Sequence, residues 1–570
     1  NFRYEYVFLL VFLILGFSMR YYHIDYPVIG YHNWKVGHYI TEARNFAEEG
    51  FFKYGFFVPM RDSMEGIDEQ SDGAHNDTFP TIAIIVGFFF KIFGQSLVVA
   101  RTVNILFSLG AVVFFYLLIK ELFNREKLAL ICAFLAAINP MYVFFSHNVD
   151  LINPGLFFML AGFYYYVKWL KEQLDKNKFG LLYLSTGLII FATITKYTFA
   201  VAIFPLLLTF PYKKFLTIVK KNVKPLLITG AIASVFPLWV AYMELYVKKF
   251  IFGQNFTQSR LASLGLSKLI DFGILLDKSF WQVIESYVAD NYTILGAIFM
   301  SFGLIAFCFF LFNKIKHKYV ELYRSAFLVG SLSYILLIIG KSLGLFFNNT
   351  PYFQLVFLYT VYFTLISLPL VIYFYVLKDS ELIGQRFISG YMLGVIFFFL
   401  IMGFKMSGHS YHQFPIAPLV LFMIAYFIDV VAQNVSDRLK NYSFVYLVVV
   451  LLILFVPLSA GKSLFANSMV SKDRMFNTQF PGLDVAGEYM KLHKDTNDRM
   501  FHSSGQSFGV LWHADMPGYK PPASVEHFKK GEEVYNVSWV FVYQWGMQTY
   551  CILQPECDQA AQERGDYLKN

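Results

Sequence analysis

Histidine, lysine and carboxylate side chains occur in short polar segments that flank long apolar runs. The first segment, DYPVIGYHNWKVGHYITEARNFAEEGF, contains His32, Lys35 and Arg44. The other candidates are Asp77 before a proline-led apolar stretch, His147 and Asp150 in SHNVDLINP, Lys196 in TITKY, and Lys405, His409, Tyr411 and His412 in KMSGHSYHQFPIAP. Lysines hold phosphate as point charges, and a carboxylate or imidazole accepts a proton from an attacking hydroxyl. If these side chains converge on one cavity, they predict a site for a phosphate-bearing substrate.

Three of these candidates also have a plainer structural interpretation. The first is typical of a solvated amphipathic helix, and Lys196 of a lysine whose ammonium group extends to the membrane interface. Most acidic residues in RDSMEGIDEQSDGAHNDTFP fit a hydrated loop, and Asp77 is singled out only because it adjoins the next apolar stretch. The functional interpretation therefore depends on whether these side chains converge on one cavity.

The composition requires a membrane. Of 570 residues, 57% are hydrophobic and only 15% are charged, which is more apolar surface than a soluble chain of this length can bury. The predicted fold is a polytopic α-helical membrane protein of about thirteen transmembrane helices. Candidate spans are 6–19, 97–119, 128–146, 154–170, 179–195, 198–211, 225–246, 291–313, 325–345, 353–377, 387–404, 413–432 and 443–461. The stretch 80–93 is short and contains Lys91, so it predicts a helix lying partly in the interface.

Lysine and arginine positions predict the orientation. They concentrate in alternate loops, whereas the short loops 147–153 and 346–352 contain none. By the positive-inside rule, the N-terminus is cytoplasmic and all of the candidate segments face outward. The transmembrane domain is predicted to be 1–461, with a first outer loop at 20–96 and a second large outer loop at 247–290.

The tail 462–570 predicts a small extracytoplasmic α/β domain. Residues 482–494 have the pattern of an amphipathic helix, and RMFHSS, GVLWHA and VSWVFVYQW have that of strands. Cys551 and Cys557 predict a short disulfide loop in an oxidising compartment, with two free thiols as the alternative. Cys132 and Cys308 lie within predicted spans and are expected to pack there.

Several functions find no support in the sequence. Neither GxxxxGK[ST] nor GxGxxG occurs, there are no zinc-like cysteine pairs, and the basic residues are explained by topology, not by nucleic-acid binding. A transporter would favour internally symmetric halves with charges at mid-membrane, and no such symmetry is evident. Use of a divalent metal stays open.

Four segments carry a resemblance to a known family. HNWKVGHYITEARNF, DTFPTIAIIVGFFFKIFGQSLVVARTVNILFSL, FATITKYTFA and GHSYHQFPIAPLVLF occur in the family's order across roughly residues 20–430. The chain thus resembles the C-type (GT-C) membrane glycosyltransferases, specifically the protein mannosyltransferase and aminoarabinose transferase branch.

The resemblance implies an inverting transfer on the outer face. The donor would be a sugar on undecaprenyl or dolichyl phosphate, and the acceptor a lipid, glycan or protein. An acceptor nucleophile would attack the anomeric carbon, with a base beside it and cations on the departing phosphate. The expected base is one of His32, Asp77 and Asp150. The expected substrate-binding residues are Lys35, Arg44, His147, Lys196, Lys405, His409, Tyr411 and His412.

Two positions depart from the family pattern. His32-Asn33 stands where a first-loop carboxylate is usual, although a His-x-Trp-Arg type of loop occurs in some relatives. Asn153 stands where an acidic residue is expected before Pro154. The alternative hypothesis is therefore a catalytically inactive scaffold subunit within a larger membrane complex.

Overall fold

The structure is a computed structural model, and it describes residues 4–53, 55–56, 78–251, 274, 277–314, 325, 382–439, 476–502, 508–519, 524–543, 551 and 557–569. The predicted spans 325–345, 353–377 and 443–461 lie essentially outside these ranges, as does Asp77. The described part is predominantly helical.

The first half of the chain forms twelve α-helices in the described residues, besides short 3-10 and π-helices. These are α1 (Tyr4–Tyr21), α2 (Asn33–Glu49), α3 (Thr81–Phe93), α4 (Leu97–Phe123), α5 (Glu126–Ile138), α6 (Pro140–His147), α7 (Ile152–Lys168), α8 (Gly180–Thr195), α9 (Ile203–Thr209), α10 (Tyr212–Lys221), α11 (Lys224–Ala233) and α12 (Val235–Tyr242). A 3-10 helix at Tyr197–Ala202 precedes α9, and a π-helix at Met243–Ile251 follows α12. Long helices follow at α13 (Lys278–Lys314), α14 (Ile383–Gly408) and α15 (Ala417–Leu439).

Four described helices are long and apolar enough to cross a membrane, or up to seven if each bent pair counts as one span. They lie at Leu97–Phe123, Lys224–Val247, Ile383–Gly403 and Ala417–Val435. The chain is thus an integral membrane protein, as predicted. The total of about thirteen spans stays a prediction.

Several predicted spans are broken. The run 128–146 is two helices that meet at 48°, because Pro140 ends the hydrogen-bond ladder of α5 and begins α6. The Asn139 side chain accepts a hydrogen bond from Tyr142 N at 3.1 Å and so caps α6. Helix α13 bends at Thr293, whose φ is 65°, and it begins at Lys278, inside the region predicted as an outer loop.

The C-terminal residues contain a parallel sheet. After α16 (Leu483–His493) come β1 (Arg499–His502), α17 (Phe508–Ala514), β2 (Gly518–Tyr519), α18 (Val525–Tyr535), β3 (Val537–Phe541) and α19 (Gln559–Lys569). The strand order is β2-β1-β3. The prediction of a strand at GVLWHA was wrong, since it lies in α17. Parallel strands need a crossover, and Val510, Leu511 and Ala514 have the spacing that buries one helix face.

Candidate functional site

The centre of the candidate site is a buried carboxylate between two lysines. Asp150 Oδ2 accepts a hydrogen bond from Lys35 Nζ at 2.9 Å, and its Oδ1 lies 4.0 Å from Lys196 Nζ. The backbone N of Leu151 also donates to Oδ1, at 2.6 Å. Two ammonium groups thus face one carboxylate, so the group carries net positive charge.

The aromatic ring of Tyr411 packs against the ammonium groups of both lysines. Lys35 Nζ lies 3.4 Å from the ring centroid and Lys196 Nζ lies 4.3 Å from it. The electron-rich ring face attracts both cations. The His409 ring stacks on Tyr411 with centroids 5.0 Å apart, and this places an imidazole beside the lysines.

His32 lies next to the same group. Its ring centroid is 5.3 Å from that of His409 and 5.8 Å from that of Tyr411. Its backbone has φ 59° and ψ 21°, the left-handed conformation that non-glycine residues adopt infrequently and that clusters at functional sites. The turn at His32 directly precedes α2, so Lys35 lies in the first turn of that helix.

Charge and burial shift the titration of these groups. Burial, and then the neighbouring Lys35, lower the pKa of His32 to about 3, and burial and the lysines also lower the pKa of His409. Burial alone would raise the pKa of Asp150, but Lys196 and Lys35 bring it well below its usual range. Burial opposes the charge of Lys35, yet Asp150 and Tyr411 raise its pKa. Near neutral pH the site therefore holds an ion-paired carboxylate and neutral imidazoles.

Buried polar residues of α4 hold the loops of the site. Asn104 Nδ2 donates to the carbonyls of Ser146 at 2.7 Å and Asn148 at 2.9 Å, which fixes the loop that carries Asp150. Arg101 Nη1 donates to the carbonyls of Ile24 and Tyr26, each at 2.6 Å, and so fixes the loop before His32. Neither residue is among the site residues predicted from the sequence, although a polar side chain in an apolar span is itself a signal.

The C-terminal segment also reaches this site. Gln479 Oε1 accepts a hydrogen bond from the backbone N of His32 at 3.3 Å. The backbone N atoms of Gln479 and Phe480 donate to Ile29 O, both at 2.9 Å, and Gly30 pairs with Thr478 in an antiparallel bridge. No sequence signal links Gln479 to His32, which lies 447 positions earlier.

The structure brings together His32, Lys35, Asp150, Lys196, His409, Tyr411 and His412. The partly buried His412 ring lies 4.4 Å from that of Tyr411, and desolvation lowers its pKa to about 2. Three further predicted residues have other surroundings. Arg44 Nη1 donates to Leu511 O and Asp515, His147 Nε2 lies 3.0 Å from His23 O, and Lys405 is exposed.

The described residues contain no candidate metal-binding site. Across the described ranges, no group of three or more His, Cys, Asp or Glu side chains is arranged to hold a metal ion. Cys551 and Cys557 form a disulfide in the C-terminal region, with Cα atoms 5.8 Å apart, and Cys132 and Cys308 are buried thiols.

The fold is similar to that of two solved oligosaccharyltransferase structures, and a third solved structure aligns less well. The apo oligosaccharyltransferase of Archaeoglobus fulgidus aligns with a TM-score of 0.51 and 13% identity, over 95% of this chain and 69% of that chain. AglB from the same organism, in complex with an inhibitory peptide and a dolichol-phosphate, aligns at 0.50 and 13%, over 95% and 69%. ArnT from Cupriavidus metallidurans in the apo state aligns at 0.43 and 10%, over 94% and 88%. No curated protein sequence gives a match.

The shared architecture is that of a C-type membrane glycosyltransferase. Residues 77–241 match the family model for dolichyl-phosphate-mannose-protein mannosyltransferases. This range is less than half of the chain. The resemblance predicted from the four sequence segments is thereby confirmed.

Proposed function

We propose that this protein transfers a sugar from a polyprenyl-phosphate donor to an acceptor hydroxyl on the outer face of the membrane. The observation that carries the proposal is the position of Lys35 and Lys196 above Tyr411, beside two imidazoles. The net positive charge of the lysine pair suits an anionic phosphate. In the relatives, AglB was solved with a dolichol-phosphate and ArnT with undecaprenyl phosphate.

The proposed reaction is an inverting displacement. The acceptor oxygen attacks the anomeric carbon as the bond from that carbon to the phosphate oxygen breaks, and polyprenyl phosphate leaves with the bonding electrons. The two lysines stabilise the charge on the leaving phosphate. The proton of the acceptor hydroxyl passes to an imidazole, for which His32 is the first candidate.

His32 suits this role better than Asp150. Both oxygens of Asp150 face a lysine, and the resulting low pKa makes this carboxylate a weak base. Its role in the proposal is to position the two ammonium groups. Binding of an anionic phosphate would raise the pKa of the nearby imidazoles toward the range useful for proton transfer. Asp77 lies outside the described residues and stays a candidate base.

The test is sugar transfer by the purified protein in lipid nanodiscs. Radiolabelled polyprenyl-phosphate sugars are supplied with membrane extract from the source cells as acceptor, and label in the product is measured. We expect transfer by the wild type, a large loss in His32→Ala, and loss of donor binding in Lys196→Met. The control, Tyr489→Ala, alters an exposed tyrosine on α16 and should match the wild type.

The scaffold alternative makes the opposite prediction. If the wild type and His32→Ala are equally silent with every donor, and the protein purifies in fixed stoichiometry with other subunits, the transfer proposal is wrong. Adding a chelator in the same assay decides whether a divalent metal is needed.

A further inference from the structure

Helix α10 has the position of a helix that lies in the membrane interface. Its axis makes an angle of 82° with the helical segment Tyr197–Thr209 that precedes it. Three residues after α10 ends, the candidate span Lys224–Val247 begins. Because α10 is nearly perpendicular to the segment before it and directly precedes a span, it lies where the chain meets the membrane surface.

The exposed side of α10 combines positive charge with apolar groups. Its sequence, YKKFLTIVKK, contains four lysines and no acidic residue. Lys213 and Lys220 are seven positions apart, which puts them on the same side of the helix, and Leu216 lies between them. Both lysines are exposed, Leu216 is 57% exposed, and Tyr212 is exposed one turn before Leu216. We call Tyr212, Lys213, Leu216 and Lys220 the α10 exposed face.

The other side of α10 is fixed to the protein. Phe215 is buried, and its ring lies 6.2 Å from the ring of Phe179 and 5.1 Å from that of Phe210, measured between centroids. The ammonium group of Lys214 pairs with the carboxylate of Asp175. These contacts hold the helix so that the α10 exposed face points away from the protein.

The α10 exposed face is remote from the candidate site. Phe179, which contacts Phe215, directly precedes α8 (Gly180–Thr195), and Lys196 directly follows it. A helix of 16 residues is about 24 Å long, so α10 and the lysine pair lie at opposite ends of α8. The loop that contains α10 is one of the lysine-rich loops for which the sequence predicts the cytoplasmic side.

We propose that the α10 exposed face binds the headgroups of anionic phospholipids. Lys213 and Lys220 hold the lipid phosphates as point charges, and Leu216 enters the acyl region between them. A zwitterionic headgroup is a poorer match, because it brings its own cation toward the two ammonium groups. This lipid site is separate from the donor site, and it does not depend on the proposed transfer reaction.

The test is photocrosslinking at α10 in lipid nanodiscs. The full chain, with p-benzoylphenylalanine in place of Leu216, is reconstituted in equal amounts of phosphatidylglycerol and phosphatidylcholine, and mass spectrometry measures the ratio of the two lipids crosslinked to it. Each lysine near an anionic surface favours anionic lipid by about fivefold, so we expect phosphatidylglycerol to be enriched by about fivefold or more. The control carries the same label in place of Leu238, which is 63% exposed within the candidate span, and should show the bulk ratio.

Lysine variants assign the enrichment to the α10 exposed face. With the label at position 216, Lys213→Gln/Lys220→Gln should bring the ratio to that of the bulk bilayer. Lys213→Arg/Lys220→Arg keeps the charge and should keep the enrichment. The matched control, Lys491→Gln/Lys529→Gln, removes two exposed lysines from the C-terminal region and should also keep it. Thermal unfolding shows that each variant is folded before the ratios are compared.

Three outcomes overturn the proposal. The first is a bulk lipid ratio at position 216 in the chain with all its lysines. The second is enrichment that persists in Lys213→Gln/Lys220→Gln, because the lysines are then not responsible. The third is crosslinking to another protein, or to a second copy of this chain, in place of lipid. Since the assay contains no sugar donor, each is distinct from failure of the transfer reaction.

Discussion

The ion pair between Lys35 and Asp150 predicts a pattern of stability changes. Replacing Lys35 with Met leaves a buried carboxylate with one lysine 4.0 Å away, and we expect a cost of about 3–5 kcal/mol. The double variant Lys35→Met/Asp150→Asn replaces the buried carboxylate that has lost its 2.9 Å partner with a neutral amide, and it should recover part of that loss. Thermal unfolding in detergent measures both.

A measurement of donor affinity distinguishes the contribution of Lys35 to stability from its proposed role in binding the donor phosphate. The double variant should regain stability without regaining donor affinity, because the cation that holds the phosphate is still absent. Equal donor affinity in the wild type and the double variant would contradict a phosphate-binding role.

The lowered pKa of His32 predicts a pH dependence. In the unfolded chain this histidine binds a proton near its ordinary pKa of about 6.5, whereas in the fold it does so only near a pKa of about 3. Its contribution to stability is therefore present above pH 6.5 and is lost as the pH falls through this window. His32→Asn should flatten the acid side of a stability-versus-pH curve.

The pH dependence of the kinetics gives a second measure of the pKa of His32. The acidic limb of the kcat/KM profile reflects the pKa in the free enzyme, and the acidic limb of the kcat profile reflects the pKa in the substrate complex. Because the bound phosphate raises the pKa of His32, the limb of kcat should lie at higher pH. Coincident limbs would argue against an imidazole beside the phosphate.

The residue types in the sequence predicted much of the site, but they did not predict the residues that hold its loops in place. Seven predicted residues converge, and the signal that found them is a polar group near the end of an apolar run. Arg44 and His147 have the same signature but bond to backbone carbonyls, and nothing in residue type distinguishes a ligand-binding cation from a structural one. Gln479 was missed because its partner is remote in sequence.

The packing of α2 on α3 depends on Gly87. A Cβ at this position would lie 2.8 Å from the carbonyl O of Ala43, a backbone atom of α2 that cannot rotate away. We expect Gly87→Ala to cost about 1–3 kcal/mol and to weaken donor binding, because α2 carries Lys35. Gly180→Ala on α8 is the control, since its Cβ would have no neighbour within 4 Å. Equal melting temperatures for both variants would contradict close packing of α2 on α3.

The apolar runs in the sequence predicted the positions of the described helices well. They did not predict where those helices bend or break. The runs 97–119 and 154–170 became α4 and α7, because length and hydrophobicity suffice to define a membrane helix. The bend at Thr293 has no proline to signal it. GVLWHA was ambiguous because a short apolar segment suits a strand or a buried helix, and only the parallel sheet requires the helix.

At the scale of the whole molecule, Arg44 joins the C-terminal region to α2. Its Nη1 donates to Leu511 O at 3.2 Å and to Asp515 Oδ1 at 3.3 Å. Arg44→Met should speed amide exchange in 508–519 by about tenfold, since a hydrogen bond from a charged donor is lost. Lys491→Met, which removes an exposed cation on α16, should leave exchange unchanged. A uniform rise in exchange across the chain would indicate general destabilisation instead.

The bond between Gln479 and His32 has a consequence for biosynthesis. The ribosome makes His32 447 positions before Gln479, so the helices between them can insert before the left-handed turn receives its partner. Nascent or prematurely terminated chains that stop before Gln479 would embed in the bilayer and retain the lysine pair, yet hold the imidazole without its remote support. Competence for chemistry would thus be acquired only once Gln479 has been synthesised, after those helices have inserted.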